Sequence, residues 1–360
     1  MKVLHIIATL GSGGAEKLLV DVLPYMNNKG IRSDILILSD KNNFFKGELE
    51  RQGIKVFWTG LKSVYSPLQI FKIGKFIKNY DIIHTHLFTP QLWTAIAKIF
   101  FGKKKYLITT EHNTYNRRRD YAILKPLDKL MYSLYDRIIC ITDSVEKELI
   151  SYLPFLKEKT IVINNGININ KFKNAIPYKK EEIIKVNDKN AKIILMVAAM
   201  RDQKDHDTLI RAKKYLPDNF HIVFVGDGPR KKLLYDLSSK YKNIHFLGER
   251  KDVERIMKTA DVFVLSSHWE GFGLAAVEAM AAGLPVIVSN VPGLRDVVGN
   301  GGKTFEPRNE KELADLILET LKFNSSTYKA TQFKQAQKFS IENMGNRYIN
   351  IYENILNHNF

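Results

Sequence analysis

The sequence predicts an α/β protein made of two doubly wound domains, each with a parallel sheet covered by helices on both faces. The chain has 360 residues, which exceeds the length at which one hydrophobic core usually divides. Short apolar segments alternate with helical stretches, and nearly continuous apolar strands are typical of parallel sheets. The series stops near residues 164–166 and then begins again, which places the predicted domain boundary there.

The predicted elements follow this alternation. In the first domain the strands are 3–8, 34–38, 54–58, 82–85, 106–110 and 137–141, and the first helix is 16–26. In the second domain the strands are 193–199, 221–225, 244–247, 262–266 and 285–288, with helices at 208–214, 231–239 and 274–282. The polar segment 168–190 is predicted to be a surface linker. Apolar positions in 341–356 recur at helical spacing. The predicted division is therefore 1–167, 168–340 and a final helix in 341–360.

Composition and charge limit the possible partners. Hydrophobic residues make up 45% and charged residues 26%, as in ordinary soluble proteins. No stretch reaches the ~20 apolar residues of a membrane span. The only cysteine, Cys140, lies in an apolar run and is expected in the core, which fits a reducing compartment. The net charge of +17 indicates an anionic partner: nucleic acid, an acidic membrane face or a phosphorylated substrate. The alternative is a lysine-rich bias of the whole proteome, which requires no partner.

The first segment with possible chemistry is the glycine-rich run 11–14, between the first strand and the first helix. Glycines there let the backbone approach a phosphate, and the helix N-terminus offers free N–H groups. A dinucleotide fingerprint would need glycine at position 16, which is Glu16. A phosphate-binding turn and a tight structural turn therefore both stay open.

Two carboxylates, Glu270 and Glu278, stand eight residues apart around a Gly-Phe-Gly sequence. Glu270 falls in the loop after a predicted strand, and Glu278 falls in the second turn of the next helix. Ligands of open α/β sheets bind at the carboxyl edge of the strands. Carboxylates there can accept hydrogen bonds from sugar or ribose hydroxyls.

Arg201 and Lys204 follow the first strand of the second domain. Two cations at the carboxyl end of a strand can hold a diphosphate, the arginine by two parallel hydrogen bonds and the lysine as a point charge. The alternative is a pair of solvated loop charges.

Histidines follow two strands of the first domain: His84 and His86 after one, and His112 after the next. We expect them to face the cleft between the domains. His84 and His86 have a possible metal spacing, but the sequence shows no further ligand cluster, so no metal is expected. His112 is a candidate hydrogen-bonding or acid–base group for an acceptor.

The run Arg117, Arg118 and Arg119 precedes a predicted helix in 121–135. That helix would place Leu124, Leu127, Met131 and Leu134 on one face. One interpretation is a solvated charge run beside a core helix. The other is a basic, partly apolar surface that contacts a lipid phosphate or an anionic bilayer, without a membrane span.

Taken together, these segments resemble the GT4 family of retaining glycosyltransferases, which have the GT-B fold. The resemblance covers nearly the whole chain. The most specific match is the E-x7-E signature from Glu270 to Glu278. The glycine run, residues 110–113, 164–167 and 226–229 also match the family. The resemblance implies two Rossmann-like domains facing each other across a cleft, with the final helix crossing back to the first domain.

The resemblance also implies a role for each matching position. Glu278 would bind the ribose, and Glu270 would lie near the transferred sugar. Lys204 would neutralise the diphosphate, Gly13 and Gly14 would let the first domain close over it, and His112 would meet the acceptor or the sugar. Further donor contacts are implied at Leu247, Gly248, Gly271, Phe272, Gly273 and Leu274. The family places its phosphate-binding arginine where this chain has Ala199, and Arg201 would replace it.

The function expected from this resemblance is a metal-independent, retaining transfer of a sugar from a nucleotide-diphosphate donor. A UDP-sugar is the expected donor. His112, Glu270, Lys204 and Arg201 are the expected catalytic residues, and His84, His112, Arg117 and Arg118 the expected acceptor contacts. The acceptor would be a glycan, linked to polyprenyl diphosphate, in bacterial O-antigen or capsule synthesis. The enzyme would be cytoplasmic, peripheral on the inner face of the cell membrane, and would need no cofactor.

Two alternatives remain at this stage. A sugar-nucleotide epimerase of the same fold would act on the donor without an acceptor. The net charge also allows a nucleic-acid-binding protein, but no interleaved basic and aromatic motif or zinc module supports it, so no nucleic acid is expected.

Overall fold

The computed structural model describes residues 1–185, 188, 190–322 and 326–357. The chain divides into two compact units: Met1–Gly166 with Ile341–Phe360, and Ile167–Ser340. Each unit contains one sheet whose described strands all pair in parallel, with helices between them. This confirms the predicted fold class.

The first unit is built on a seven-stranded sheet with the order β3-β2-β1-β4-β5-β6-β7. Its strands are β1 (Lys2–Ile7), β2 (Arg32–Ile37), β3 (Val56–Trp58), β4 (Ile82–His86), β5 (Tyr106–Glu111), β6 (Arg137–Cys140) and β7 (Thr160–Val162). Its helices are α1 (Gly14–Asn28), α2 (Lys46–Arg51), α3 (Gln69–Ile77), α4 (Phe88–Phe101), α5 (Lys125–Ser133) and α6 (Asp143–Tyr152).

The second unit begins with α7 (Ile169–Lys173) and α8 (Lys180–Ile184) and contains a six-stranded sheet with the order β10-β9-β8-β11-β12-β13. Its strands are β8 (Lys192–Val197), β9 (Phe220–Val225), β10 (Ile244–Phe246), β11 (Val262–Leu265), β12 (Val286–Ser289) and β13 (Lys303–Phe305). Its other helices are α9 (His206–Ala212), α10 (Lys231–Ser238), α11 (Val253–Thr259), α12 (Leu274–Ala282), α13 (Leu294–Val298), α14 (Glu310–Lys322) and α15 (Ser326–Gln337).

The final helix, α16 (Ile341–Leu356), belongs to the first unit and packs against α1. Its apolar face, which includes Met344, Tyr348 and Ile351, is buried in the same core cluster as β1 and α1. Gly345 permits this close approach, because a Cβ at that position would collide with the ring of Tyr25. Burial of a large apolar side chain contributes roughly 1.5–3 kcal/mol, so this face holds α16 in place.

The prediction of a plain surface linker at 168–190 was wrong for two parts of the segment. It contains α7 and α8, and Phe172 and Ile184 are buried. Asn168 begins α7 as an N-cap, because its Oδ1 accepts a hydrogen bond of 3.0 Å from the N–H of Lys171. Polar composition hid two short helices that each bury only a few apolar side chains. Residues 186, 187 and 189 lie outside the described part of the chain.

The helix predicted at 121–135 also needs correction. The structure has a 3-10 turn at Ala122–Leu124 and then the shorter helix α5. Its buried face is formed by Asp128, Met131 and Tyr132, while Leu127 is exposed. The buried carboxylate of Asp128 bonds to Arg118 and Tyr152, which the hydrophobic spacing alone could not indicate.

Candidate functional site

Two loops of the second unit meet at the carboxyl edge of its sheet. The strands β8 and β11 are neighbours, with Phe263 aligned beside Leu195. The turn Asp202–Lys204 follows β8, and the loop 266–273 follows β11 and leads into α12. Parallel strands end at the same edge, so the turn that carries Lys204 and the loop that carries Glu270 lie side by side.

Backbone contacts fix the two loops to each other. The side chain of Gln203 donates a hydrogen bond of 2.9 Å to the Trp269 carbonyl, and the His268 N–H donates one of 2.8 Å to the Gln203 carbonyl. The Ser266 hydroxyl donates to the Asp205 carbonyl at 2.7 Å. Such a network holds the side chains between the loops in one arrangement.

Lys204 and Glu270 form an ion pair between these loops. Glu270 is 6% exposed and also accepts a hydrogen bond of 3.0 Å from the Ser267 hydroxyl. The structure therefore brings together two residues that the sequence singled out separately. A bound diphosphate could replace Glu270 as the partner of the Lys204 ammonium group. The Glu270 carboxylate would then still accept the hydrogen bond from Ser267.

The glycines around Glu270 are required by close backbone packing. Gly293 has φ +84°, and a Cβ there would lie only 3.0 Å from the Gly271 carbonyl oxygen. Gly273 has φ +82° and begins α12, in which Glu278 is 8% exposed. The side chain of Phe272 is buried edge-on against Phe339, so only its backbone can contact a ligand.

The loops after β9 and β10 lie at the same edge. A side chain at Gly226 would collide with the Ala198 carbonyl, which follows β8. The Gly226 N–H donates a hydrogen bond of 2.8 Å to the Gly248 carbonyl. Leu247 and Gly248 are partly exposed beside this bond. The donor contacts that the resemblance implies at Leu247 and Gly248 thus belong to the same edge as Lys204 and Glu270.

Two arginines at this edge differ in their surroundings. Arg201 is exposed directly before the turn that carries Lys204. Arg230, which the sequence analysis missed, forms ion pairs with Asp202 and Asp207 and so braces that turn. Arg230 could have been recognised from the sequence, because it directly follows residues 226–229, which match the family.

In the first unit, the glycine-rich run leads into α1, with Gly13 at the N-cap. Gly13 and Gly14 are exposed. A Cβ on Gly13 would meet the carboxylate of Glu16, which is the flexible end of a side chain and can move aside, so packing alone does not require glycine at this position.

Four histidines lie together in the first unit: His5 and His84 lie within β1 and β4, His86 is the last residue of β4, and His112 directly follows β5. His5 aligns with His84 in the sheet, and the His5 Nδ1 and His86 Nε2 atoms are 3.1 Å apart. The His86 Nδ1 and His112 Nε2 atoms are 3.3 Å apart. Burial lowers the pKa of His5 to about 3 and that of His112 to about 4, so both rings are neutral at pH 7. His5 was not predicted as a site residue, because the sequence shows only a single histidine inside an apolar strand.

His84 belongs to this group by position, but its bonds are internal. It has no accessible surface, and its two ring nitrogens lie 2.6 Å from the Tyr352 hydroxyl and 2.7 Å from the Thr110 hydroxyl. These contacts join α16 to β4 and β5. This placement suits a structural role better than the acceptor contact that the sequence analysis expected.

His5, His84 and His86 are close enough to be considered as metal ligands, since one nitrogen from each lies within 4.8 Å of the others. Both nitrogens of His84 and both of His86 already face hydrogen-bond partners. A bound ion would have to displace several of these bonds, so the residues present do not favour a metal.

Glu111 fixes the strand end that precedes His112. The buried carboxylate accepts hydrogen bonds of 2.8 Å from Gln91 and Tyr132, and it forms an ion pair with Arg119 at 2.9 Å. Burial alone would raise the pKa of Glu111, but these partners outweigh it and the pKa is lowered.

Arg117 and Arg118, the other expected acceptor contacts, lie with Arg119 in the 3-10 turn Arg117–Asp120. Arg118 is held by an ion pair of 3.1 Å with Asp128, and its guanidinium lies 3.7 Å from the centre of the Phe88 ring. Arg117 is exposed. Of the two arginines, Arg117 therefore has the more accessible charge.

Comparisons with known proteins identify the family to which the two units are similar. Residues 179–338 match the family described as glycosyl transferases group 1, and residues 12–171 match glycosyltransferase family 4. An uncharacterized glycosyltransferase of Methanocaldococcus jannaschii is 30% identical over 288 residues, which cover 76% of this chain and 75% of that protein.

Another relative is the UDP-Gal:alpha-D-GlcNAc-diphosphoundecaprenol alpha-1,3-galactosyltransferase of Escherichia coli. It is 33% identical over 257 residues, 67% of this chain, and the match spans just under two thirds of its own length, 65%. Among solved structures, Anabaena HepE in complex with UDP and glucose has a TM-score of 0.85 at 22% identity, covering 98% of this chain and 99% of that one. This last likeness concerns the fold.

Proposed function

The chain belongs to the glycosyl transferases group 1 family and is a glycosyltransferase, and from this premise we propose a specific reaction. The enzyme moves a sugar from a UDP-sugar to a glycan carried on polyprenyl diphosphate, with retention of configuration and without a metal ion. It acts in bacterial cell-surface polysaccharide synthesis, O-antigen or capsule, from the cytoplasmic face of the membrane.

One observation carries this proposal: Lys204 and Glu270 meet at the carboxyl edge of the second sheet, beside the helix that holds Glu278. The cation suits a diphosphate, and the carboxylates suit sugar and ribose hydroxyls. The E. coli relative uses a UDP-sugar and a diphosphoundecaprenol-linked acceptor, as its name states. The Anabaena structure contains UDP. These names support the choice of nucleotide and acceptor class.

In the proposed mechanism, cleavage of the sugar–phosphate bond builds negative charge on the departing diphosphate. Lys204 and Arg201 stabilise that charge, which is the largest catalytic contribution. Glu270 orients the sugar. The acceptor hydroxyl attacks from the face that the diphosphate leaves, and the diphosphate takes its proton. No enzyme carboxylate forms a covalent intermediate.

A nucleotide screen and an acceptor assay test the proposal together. We expect UDP to raise the melting temperature more than GDP or ADP at equal concentration, because a ligand stabilises the state that it binds. We also expect UDP release from UDP-galactose only when a polyprenyl-diphosphate-linked sugar is added. Conversion of the nucleotide sugar without any acceptor would instead identify an epimerase. Salt-sensitive DNA binding without stabilisation by UDP would identify a nucleic-acid-binding protein.

The proposed membrane contact is supported by a basic, apolar surface on the first unit. Ile123, Leu127 and Leu130 are 86%, 41% and 59% exposed, and Lys125 and Lys129 lie between them. Helix α4, which contacts α5, carries the exposed side chain of Phe100. No helix among the described residues is both long and apolar enough to cross a membrane. Exposed apolar groups flanked by lysines fit the headgroup region of an anionic bilayer.

We expect the double substitution Leu127→Ser with Leu130→Ser to reduce co-sedimentation with anionic phosphatidylglycerol vesicles by about tenfold, since two apolar side chains would no longer enter the bilayer. The matched control is Leu233→Ser with Leu237→Ser on α10 of the second unit, where both leucines are also exposed. Equal losses in both variants would contradict the assignment of this surface.

A further inference from the structure

The histidines at the end of the first sheet form a hydrogen-bonded chain that reaches His112. His86 lies between the other two rings: its Nε2 is 3.1 Å from His5 Nδ1, and its Nδ1 is 3.3 Å from His112 Nε2. His5 and His86 have no accessible surface. His84 contacts His86 through its ring but bonds to Thr110 and Tyr352 instead.

A neutral imidazole carries one N–H and one bare nitrogen, so the chain has only two arrangements of its protons. In the first, His5 donates from Nδ1 to His86, His86 donates from Nδ1 to His112, and His112 keeps its own proton on Nδ1. In the second, His112 donates from Nε2 to His86, and His86 donates from Nε2 to His5. His5 then carries its proton on Nε2, and the Nδ1 of His112 is bare. The protonation of His112 is thus tied to that of His5.

The buried end of the chain decides between the two arrangements. His5 Nε2 is buried and has no hydrogen-bond partner among the residues that the structure describes. The first arrangement leaves a bare nitrogen there, whereas the second leaves an N–H. An orphaned buried N–H is the rarer defect in folded proteins. The first arrangement is therefore favoured.

We propose that His5 and His86 are positioning residues that hold His112 as an Nδ1–H hydrogen-bond donor. This inference rests on the proposed function and on the role that the family resemblance implies for His112, which is contact with the acceptor or the transferred sugar. His112 then donates a hydrogen bond to a substrate oxygen and does not remove the proton of the acceptor hydroxyl. To act as a base, His112 would need all three rings to exchange their protons and would leave an N–H unpaired at His5.

The tautomer is tested directly by nitrogen NMR of protein labelled with 15N-histidine, at pH 7.5, with the His112 signals identified by their loss in His112→Asn. We expect Nδ1 of His112 to be protonated and Nε2 to be bare. We expect His86→Asn to keep this tautomer, because the asparagine amide places a donor near the position of Nδ1. His86→Leu removes the donor and should increase the Nε2–H form. A protonated Nε2 in the wild-type protein would overturn the proposal.

Turnover gives a second, independent measurement. An asparagine at position 112 retains a donor near Nδ1 but cannot act as a base. We expect His112→Ala to lower kcat about 100-fold and His112→Asn to lower it less than about tenfold. Equal losses in the two variants would show that His112 serves as a base and would overturn the inference. If the wild-type protein transfers no sugar at all, the proposed function fails, while the NMR result still decides the tautomer.

Discussion

Replacing Lys204 with alanine is expected to lower kcat by about 10²- to 10³-fold, the loss typical of removing one group that stabilises transition-state charge. The effect on acceptor KM should be small, since Lys204 acts on the departing diphosphate. The loss also leaves Glu270 without its cation, so a carboxylate would then face the diphosphate. Steady-state kinetics with varied acceptor at saturating UDP-sugar measures both constants.

The control for this substitution is Lys214→Ala. Lys214 is in the same unit and pairs with Glu310 on the surface, with Nζ and Oε1 3.3 Å apart. We expect its kcat to stay within about twofold of wild type, because exposed pairs contribute little. Melting curves separate loss of fold from loss of chemistry. Unchanged turnover in Lys204→Ala, with the fold intact, would remove the lysine from the proposed mechanism.

The first unit is expected to lose stability as the pH falls below about 6.5. His5, His84 and His86 are fully buried, and burial lowers the pKa of each well below 6.5. In the unfolded chain each regains a pKa near 6.5, so only the unfolded state binds protons between these values. The same holds for His112, since burial lowers its pKa to about 4. From pH 6.5 to 5.5 each of these four histidines should reduce the free energy of unfolding by about 1 kcal/mol, which gives roughly 4 kcal/mol for the four.

Urea denaturation at pH 7.5, 6.5 and 5.5 measures this dependence. Most carboxylates stay ionised in that range, so the histidines dominate the change. The comparison variant is His86→Asn, which should flatten the slope by about one proton below pH 6 because one buried titrating ring is gone. A slope that the substitution leaves unchanged would mean that His86 is not the source of the acid sensitivity.

The sequence was sufficient for features that depend on local pattern. Alternating apolar and helical segments predicted the two parallel sheets, and α12 and α16 begin and end where their residues predicted. Lys204 and Glu270 were recognised because each follows a strand, where polar residues gather at a sheet edge.

Other features depend on contacts between distant residues and could not be predicted. The side chain of Asp128 is buried because Arg118 and Tyr152 bond to it. The buried face of α5 therefore includes Asp128 and leaves Leu127 exposed, unlike the face that the leucine spacing predicted. His5 looked like an isolated residue, and only the sheet register brings it to His84. The ion pair of Lys204 and Glu270 joins residues 66 positions apart.

The position of α16 has a consequence for the order of folding during synthesis. The second unit is one continuous segment, so it can fold as soon as residue 340 has left the ribosome. The first unit, although made earlier, cannot bury the part of α1 that contacts α16 until residues 341–356 arrive. The first unit is therefore completed last, although most of it is translated first. In a chain halted before α16, the apolar residues of α1 that α16 covers would be exposed to chaperones and proteases.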